Sequence, residues 1–264
     1  MESATLTPPV RSRTGAPHLS YSRIQRYLHC PEQYRLYYVK GLRPRSPSAS
    51  LAFGQIVHQA LAHLFQERGD PVQRFRESWE GAREAALTYA QRDSWEKMAE
   101  AGERLLEKFV TEELPKLGRV ESAEKEFRLD ITSLEAPLIG FMDLVAEVEG
   151  VRTVVDFKTS GSKYGEHEAA MSDQLTAYQL AEPEVEQSAL CVLVRTKTPK
   201  IEWHITTRSP EQIQEYLAKA DVVASEIHDG RFFKRPGMWC SFCDYLPVCT
   251  GNAQKAEETL VQIF

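Results

Sequence analysis

Apolar side chains recur at helical spacing through the first part of the chain. Residues 1–18 precede this pattern, are rich in Pro, Ser, Thr and Arg, and predict a disordered tail. Next, LSYSRIQRYLHCPEQYRLYYVKGL predicts a helix that Pro31 breaks and a second short helix. After a predicted loop, RPRSPSAS, the stretch FGQIVHQALAHLFQERGD predicts a helix that Gly69 ends, and the helical pattern continues through the charged residues that follow. We therefore predict a helical lobe over residues 19–118.

The pattern changes to strands at the end of this lobe. RVESAEKEFRLDI, APLIGFMDLVAEVEG and VRTVVDFKTS predict three strands, and Glu149-Gly150 predicts a tight turn between the last two. A helix in DQLTAYQLAEP and strands in SALCVLVRT and KIEWHITTR follow, so residues 119–208 predict a mixed α/β sheet. Residues 209–264 begin with a capped amphipathic helix and contain a cysteine-rich stretch. We predict that residues 19–264 form a single domain.

Composition and charge exclude few classes of function. The chain has 264 residues, of which 42% are hydrophobic and 27% charged, as is ordinary for a globular protein. No apolar run approaches the roughly 20 residues that span a bilayer, and the N-terminal sequence lacks the apolar region of a secretory signal. The sequence therefore predicts a cytoplasmic protein without a membrane partner. Its net charge of -6 argues against indiscriminate coating of nucleic acid and leaves room for a local basic groove.

Two carboxylates and a lysine meet in the predicted hairpin. The tight turn brings Asp143 and Asp156 to the same end of adjacent strands, where their oxygens, with the backbone carbonyl of Phe157, suit a hard cation such as Mg²⁺. Alternation along the strand places Lys158 on the same face as Asp156. There it would position or help deprotonate a metal-bound water, or neutralise charge in the transition state of phosphodiester hydrolysis. On this short pattern alone, an ordinary strand that ends in a solvated Asp and Lys pair remains an alternative.

An ordered set of motifs resembles the PD-(D/E)xK nuclease superfamily, and specifically its RecB-type branch. The motifs are the histidine of GQIVHQAL, the aspartate of GFMDL, D-x-K in VVDFKTS, and Q-x3-Y in DQLTAYQL. That branch includes the nuclease domains of RecB and AddB and the CRISPR-associated RecB-like exonucleases. The resemblance covers most of residues 19–250 and implies a restriction-endonuclease-like mixed sheet core with an N-terminal helical lobe. The "PD" dipeptide is absent, because Asp143 follows Met142.

The resemblance implies a role for each matching residue. Asp143 and Asp156 would bind Mg²⁺ or Mn²⁺ together with His58 from the preceding helix, and Lys158 would be the catalytic lysine. Two further residues, Gln174 and Tyr178, lie four apart on one helical face, and they would support the active site and contact DNA. Taken singly, the histidine could equally lie on a helix surface, and the Gln and Tyr could belong to a plain amphipathic face. Glu126 lies where the branch often has an acidic residue, and its contribution stays open.

Basic and aromatic residues near the predicted site suggest how DNA is held. Cations interleaved with aromatic rings stack bases and track the phosphates of single strands. An ordinary solvated surface with core tyrosines is the alternative for each of them. The residues concerned are Arg35, Lys40, Arg43, Arg45, Lys158, Lys163, Arg195, Lys197, Lys200, Arg231, Lys234 and Arg235, with Tyr34, Tyr37 and Tyr38.

Three of the five cysteines crowd into WCSFCDYLPVC near the end of the chain, whereas a closed thiolate site usually needs four ligands. Cys191 lies in a predicted buried strand and is expected in the core, and Cys30 lies at the predicted helix break. Members of the RecB-type branch with a [4Fe–4S] cluster carry one upstream cysteine and three in a C-terminal C-x2-C-x5-C group. The resemblance thus implies a cluster on Cys30, Cys240, Cys243 and Cys249. Ligand chemistry alone suits structural Zn²⁺ equally, although the solitary first ligand favours the cluster.

Together these features predict a metal-dependent deoxyribonuclease that hydrolyses phosphodiester bonds. The sequence shows no recognition module, so we expect an exonuclease on single-stranded ends or overhangs, acting in CRISPR adaptation, recombination or repair. It also shows no G-x4-G-K-[ST] motif, so a helicase or CRISPR integrase partner would be a separate chain. The alternative is a catalytically inactive RecB-like subunit that binds DNA or protein in a larger assembly.

Overall fold

The computed structural model describes residues 18–134 and 136–264. The predicted tail lies outside these residues except for His18. Helix α1 (Tyr21–His29) begins where the Ser20 side chain accepts a hydrogen bond from the backbone N–H of Arg23. After the break at Cys30 comes α2 (Pro31–Tyr34), which continues as a π-helical turn over Arg35–Val39. The helix, break and second helix are therefore confirmed.

Three longer helices form the rest of the lobe: α3 (Ala49–Glu67), α4 (Pro71–Gly81) and α5 (Trp95–Lys108). The predicted loop was wrong at both ends, because strand β1 (Leu42–Pro44) covers its start and α3 its end. Helix α3 ends at Glu67, and its C-cap, Arg68, adopts the left-handed conformation. The cap thus lies one residue before Gly69, the predicted stop. The helical pattern is also interrupted between α4 and α5, where Thr88 pairs with Ser48 in an isolated bridge.

A five-stranded mixed sheet forms the centre of the molecule. Its strands, in spatial order, are β2 (Leu117–Leu129), β3 (Leu138–Val148), β4 (Val151–Ser160), β5 (Gln187–Val194) and β6 (Lys200–Thr206). Strands β4 and β5 run parallel, and the other neighbours run antiparallel. Both Glu149 and Gly150 have positive φ, as the predicted two-residue hairpin turn requires. The predicted mixed α/β sheet and its five strands are confirmed.

Helices cover both faces of this sheet, because successive residues of a strand point to opposite sides. Val155 and Phe157 of β4 pack against α3 and α5, and Cys191 of β5 lies fully buried in the same cluster. Val154 packs in the other cluster, with α1 and the helices that follow β4 and β6. Those helices are α6 (His167–Ala170), α7 (Asp173–Ala181) and α8 (Pro210–His228). Cys191 is thus a core residue, as expected.

The C-terminal segment runs back along the N-terminal helices. After a 3-10 turn, Met238–Phe242, come α9 (Leu246–Cys249), α10 (Ala253–Thr259) and β7 (Leu260–Gln262), which pairs antiparallel with β1. The hydroxyl of Tyr27 donates to the carbonyl of Arg231 at 2.7 Å, and that of Tyr245 donates to the carbonyl of Leu42 at 2.9 Å. Within the described residues, no helix is long and apolar enough to cross a membrane.

Candidate active site

The first carboxylate lies where the β3–β4 hairpin stops pairing. At this end of the hairpin, the last residues that pair between β3 and β4 are Leu144 and Val155. One residue further, the Asp143 carboxylate accepts the backbone N–H of Phe157 at 2.7 Å. A side chain thus takes the place of a backbone acceptor, which fixes the carboxylate beside β4.

Asp156 and three other side chains form a closed ring of contacts. Lys158 Nζ lies 2.8 Å from Asp156 Oδ2 and donates to Gln174 Oε1 at 2.7 Å. Gln174 Nε2 donates to the Tyr178 hydroxyl at 2.7 Å, and that hydroxyl lies 3.1 Å from Asp156 Oδ1. The Tyr178 hydroxyl also lies 2.7 Å from the carbonyl of Phe141, so its single hydrogen serves one of two acceptors. The ring links the end of β4 to one face of α7.

A glycine allows Tyr178 to pack closely against the sheet. Gly140 of β3 stands directly opposite Phe127 of β2, and a Cβ on Gly140 would lie 2.5 Å from the Phe127 ring. That ring contacts Tyr178 edge to face, with centroids 6.0 Å apart. The glycine of GFMDL therefore leaves room for the aromatic pair that supports the Tyr178 hydroxyl.

His58 reaches the site from α3. A Cβ on Gly54, one turn earlier, would lie 3.1 Å from Thr159 Oγ1, so this residue lets the helix approach β4. His58 Nδ1 lies 3.4 Å from Asp143 Oδ1, and its ring meets Phe157 edge to face. The structure thus brings together His58 and both aspartates, with the lysine, glutamine and tyrosine of the ring.

The two carboxyl groups have opposite pKa shifts, although burial raises the pKa of both. At Asp143, His58 and the Phe157 amide outweigh burial, so the pKa is lowered. At Asp156, burial with the nearby Asp143 charge outweighs Lys158, so the pKa is raised. Burial lowers the pKa of His58 and of Lys158, but Asp143 and Asp156 respectively outweigh it, so both pKa values are raised. The site therefore holds Lys158 as an ammonium.

The donor set fits a hard cation in its chemistry, because carboxylate oxygens are ligands that Mg²⁺ and Mn²⁺ prefer. Asp156 is 1% exposed, and burial, together with the neighbouring negative charge of Asp143, raises its pKa. A cation between the two carboxylates would relieve this repulsion. Across the described residues, however, no group of three or more His, Cys, Asp or Glu side chains is arranged to hold a metal ion.

An acidic residue that the sequence reading missed lies in the groove over the site. Glu124 faces this groove, whereas Glu126, the residue left open, is exposed and does not line it. The residues on either side of Glu124 pair with the residues on either side of Asp143 in the register of β2 with β3, and the φ of Glu124, 51°, is left-handed. This conformation is rare for a residue other than glycine and recurs at functional sites. Glu124 faces the groove because of this backbone conformation, and nothing in the local sequence predicts the conformation.

Most of the predicted DNA-binding cations lie away from the groove. Tyr34 is 3% exposed and stacks on Phe232, so it belongs to the core. Arg195 forms a bidentate ion pair with Asp93. Of the residues predicted for this role, those that line the groove in the described structure are Lys158, Tyr37 and Tyr38. Local sequence could not show this, because the partner of Arg195 lies far along the chain.

Three of the four predicted cluster cysteines, Cys30, Cys243 and Cys249, lie close to one another near the helix break. Burial raises the pKa of the Cys249 thiol, Lys234 lowers it, and the thiols of Cys243 and Cys30 are close enough to raise it further. The backbone N–H of Cys243 donates to the carbonyl of Cys240 at 3.1 Å. All four thiols are free and half-buried. The fold thus brings the two ends of the chain's cysteine set into one neighbourhood.

The comparisons with known proteins agree with this architecture. Among solved structures, the chain resembles a candidate exonuclease from Eubacterium rectale, with a TM-score of 0.57, 15% sequence identity, and coverage of 89% of this chain and 88% of that chain. It also resembles SSO0001, with a TM-score of 0.49, 13% identity, and coverage of 90% and 89%. No curated protein matches the chain in sequence. Because the model of the PD-(D/E)XK nuclease superfamily matches residues 18–250, the chain belongs to that superfamily.

Proposed function

We propose that the protein is a Mg²⁺- or Mn²⁺-dependent deoxyribonuclease that degrades single-stranded DNA from its ends. The observation that carries this proposal is the closed ring of Asp156, Lys158, Gln174 and Tyr178, with Asp143 beside it. A subunit that only bound DNA would have no need to bury an acid and a lysine together at the floor of a groove. The neighbour from Eubacterium rectale, described as a candidate exonuclease, supports cleavage from an end.

Each residue of the site has a role in this proposal. Asp143, Asp156 and His58 would hold the divalent ion, which when bound polarises the scissile phosphate and activates the attacking water. The Phe157 carbonyl stays a predicted further ligand. Hydrolysis forms a bond from the water oxygen to phosphorus and breaks the phosphorus to leaving-oxygen bond, and the leaving oxygen ends protonated. Tyr178 and Gln174 act as positioning residues, because they fix Asp156 and Lys158 through hydrogen bonds.

Lys158 stabilises charge in this scheme. Its pKa is raised by Asp156, so it enters the reaction as a cation and suits the negative charge that develops on the phosphoryl oxygens. A lysine that served as a general base would need a lowered pKa. Its bond to Gln174 orients the ammonium toward the groove that Lys158 lines.

Digestion of an end-labelled single-stranded oligonucleotide tests the activity. With Mg²⁺ or Mn²⁺, the wild type should cleave, and Asp156→Asn and Lys158→Ala should each lose about a hundredfold or more in rate. Asp130→Asn, which makes the same change at an exposed site beside Arg128, should keep full activity. If the wild type shows no metal-dependent cleavage that Asp156→Asn abolishes, the inactive-subunit alternative is correct.

Substrate topology tests the preference for ends. A circular single strand of the same sequence should resist digestion, and 5′ and 3′ labels on the linear strand should reveal the polarity. Rapid cleavage of the circle would instead make the enzyme an endonuclease. A role in CRISPR adaptation, recombination or repair, with a helicase or integrase partner, stays a prediction.

We also propose that Cys30, Cys240, Cys243 and Cys249 bind a [4Fe–4S] cluster. The support is chemical and spatial: the thiols of Cys30, Cys243 and Cys249 lie near one another, and the backbone of Cys240 is hydrogen-bonded to that of Cys243. Gln33 Nε2 lies 3.7 Å from Cys243 Sγ. The cations Lys234 and Arg35 lie near Cys249 and suit the negative charge of a thiolate cluster. Zinc is the alternative occupant.

A further inference from the structure

Planar cations line one wall of the groove above the catalytic carboxylates. The groove is open and has a volume of about 1070 Å³, larger than the roughly 300–1,000 Å³ of small-molecule sites. One wall is formed by α3 with His58, and the other by α1 and the π-helical turn, which contribute Arg23, Arg26, Tyr37 and Tyr38. A groove of this size suits a polymer, so the charged wall is a candidate surface for the strand.

The arginines of this wall lie on tyrosine rings. The guanidinium carbon of Arg26 is 3.8 Å from the centroid of Tyr37, and that of Arg23 is 4.3 Å from the centroid of Tyr38. Arg43 is 3.3 Å from the same Tyr37 centroid. Two guanidinium groups at these distances cannot share one face of a ring, so Tyr37 lies between Arg26 and Arg43. Cation–π contacts of this kind hold the guanidinium planes in place.

The third arginine is a buried support. Arg43 is 6% exposed and donates through Nη1 to the carbonyls of Tyr37 and Leu42. It fixes both the backbone and the ring of Tyr37 from the inner side. Arg26 lies on the groove side of that ring and is half-buried.

The charge of this wall is not compensated by ion pairs. Within the part of the chain that the structure describes, neither Arg23 nor Arg26 forms a salt bridge, whereas Arg35 pairs with Glu32. Burial raises the pKa of the Asp244 carboxyl, and the charge of Arg26 opposes this rise. The two side chains do not come within ion-pair distance. In a chain of net charge -6, this wall is a local cationic surface.

We propose that Arg23 and Arg26, held on Tyr38 and Tyr37, bind the phosphates of the strand next to the cleavage site. The proposal rests on the nuclease function proposed above and names how its substrate is held. Since the guanidinium groups already cover the tyrosine rings, these rings do not stack bases, and binding is independent of base identity. Arg26 and Arg23 are therefore phosphate contacts, whereas the sequence predicts this role for other cations.

Binding of a labelled single-stranded oligonucleotide, followed by fluorescence anisotropy in EDTA, tests this proposal. All proteins carry Asp156→Asn, so binding is measured without cleavage. Arg26→Ala should raise Kd about tenfold and reduce the slope of log K against log salt by about 0.7, the value for one phosphate contact on a single strand. The matched control is Arg104→Ala, which removes an exposed arginine of α5 that pairs with Glu100, and it should change neither quantity.

Two further arms separate phosphate binding from base stacking and from misfolding. An oligonucleotide with abasic sites should show the same loss on Arg26→Ala as the normal strand does. Arg26→Lys keeps the charge and loses the planar contact with Tyr37, so its salt slope should stay that of the parent protein while Kd rises less than in Arg26→Ala. Thermal unfolding should show that each variant folds.

Three results would overturn the proposal: an unchanged Kd and slope in Arg26→Ala, an equal loss in Arg104→Ala, or a loss that disappears on the abasic strand. Failure of the nuclease function is distinguishable from these results. In that case the wild type would not cleave at all, whatever Arg26 does. If cleavage is intact while Arg26→Ala binds normally, only the assignment of this wall is wrong.

Discussion

The active site and the cysteine segment are held in place by different means. In the active site, side chains fix one another: Asp156 is 1% exposed and contacts both Lys158 and Tyr178. In the cysteine segment, the thiols are half-buried, and neighbouring Trp239 and Phe242 are 63% and 83% exposed. There the side-chain contacts with the N-terminal lobe run mainly to backbone carbonyls, as from Arg235 to Leu28 and from Tyr245 to Leu42.

This difference indicates which of the two sites the protein can form without a bound metal group. A ring of buried hydrogen bonds is costly to leave incomplete, so the fold itself specifies the positions of the groups that we propose to be catalytic. Exposed aromatic side chains and half-buried thiols contribute little to folding, and a bound metal group couples directly to the folding of such a segment. We expect the catalytic core to tolerate changes in the cysteine segment better than the reverse.

The largest effect is predicted for the metal content. Cys30→Ala and Cys243→Ala should each reduce iron and sulfide from about four per chain to near zero in anaerobically purified protein. Limited proteolysis should then cut faster between residues 236 and 252 while the sheet stays intact. Cys30→Ala and Cys243→Ala should have the same effect on metal content and proteolysis, because a single metal group would join residues from both ends of the chain.

Cys191→Ala is the matched control for this prediction. Its thiol is fully buried opposite Phe157 in the sheet core, and burial raises its pKa well above the ordinary value. The variant should retain all the iron. Equal iron loss in Cys191→Ala, or colourless wild-type protein that carries zinc, would contradict the proposed cluster.

A smaller effect is predicted for the hydroxyl of Tyr178. Tyr178→Phe keeps the ring against Phe127 and removes the hydrogen bonds that fix Asp156 and Gln174. If Tyr178 positions other groups and does not react, as we propose, kcat should fall about tenfold to a hundredfold with little change in KM. Steady-state cleavage of the labelled strand measures both.

Tyr216→Phe controls for the loss of a buried hydroxyl. Tyr216 is 2% exposed, and among the described residues its hydroxyl has no hydrogen-bond partner. The change should therefore leave kcat unaltered and the free energy of unfolding equal or higher. A fall in kcat similar to that of Tyr178→Phe would show that the effect comes from general loosening.

The parts of this fold that were predictable are those that local pattern determines. The Glu149-Gly150 turn and the alternation of β4 follow from backbone preference and burial, and the hairpin they define sets Asp143 beside Asp156. The remaining parts depend on contacts between distant residues. Glu124 faces the groove because β2 is irregular there, and Arg26 lies on Tyr37 because a π-helical turn follows α2. Neither feature has a local sequence signature.

The smallest effect is predicted at the charged network behind α7. Glu182 follows this helix and accepts hydrogen bonds from Lys125 and Arg152. Burial raises the pKa of Glu182, but these two partners outweigh it and hold the pKa below the ordinary value. A carboxyl whose pKa is lower in the folded state stabilises the fold above its unfolded pKa, and this contribution is lost as the pH falls through the folded pKa.

Glu182→Gln should therefore lower the free energy of unfolding by about 1 kcal/mol at neutral pH, a modest value because Lys125 is partly exposed. The difference from the wild type should shrink as the pH falls below the ordinary glutamate pKa of about 4.3. It should continue to shrink through the lower pKa that this carboxyl has in the folded state, because protonation removes its charge. Urea unfolding at neutral pH and at acidic pH measures this difference in the free energy of unfolding. Glu184→Gln, at an exposed position two residues further along the chain, is the control. A deficit that persists undiminished at low pH would mean that Glu182 stabilises α7 by packing and not by its charge. The contrast between a core fixed by charged side chains and a segment that we propose is fixed by a metal group would then weaken.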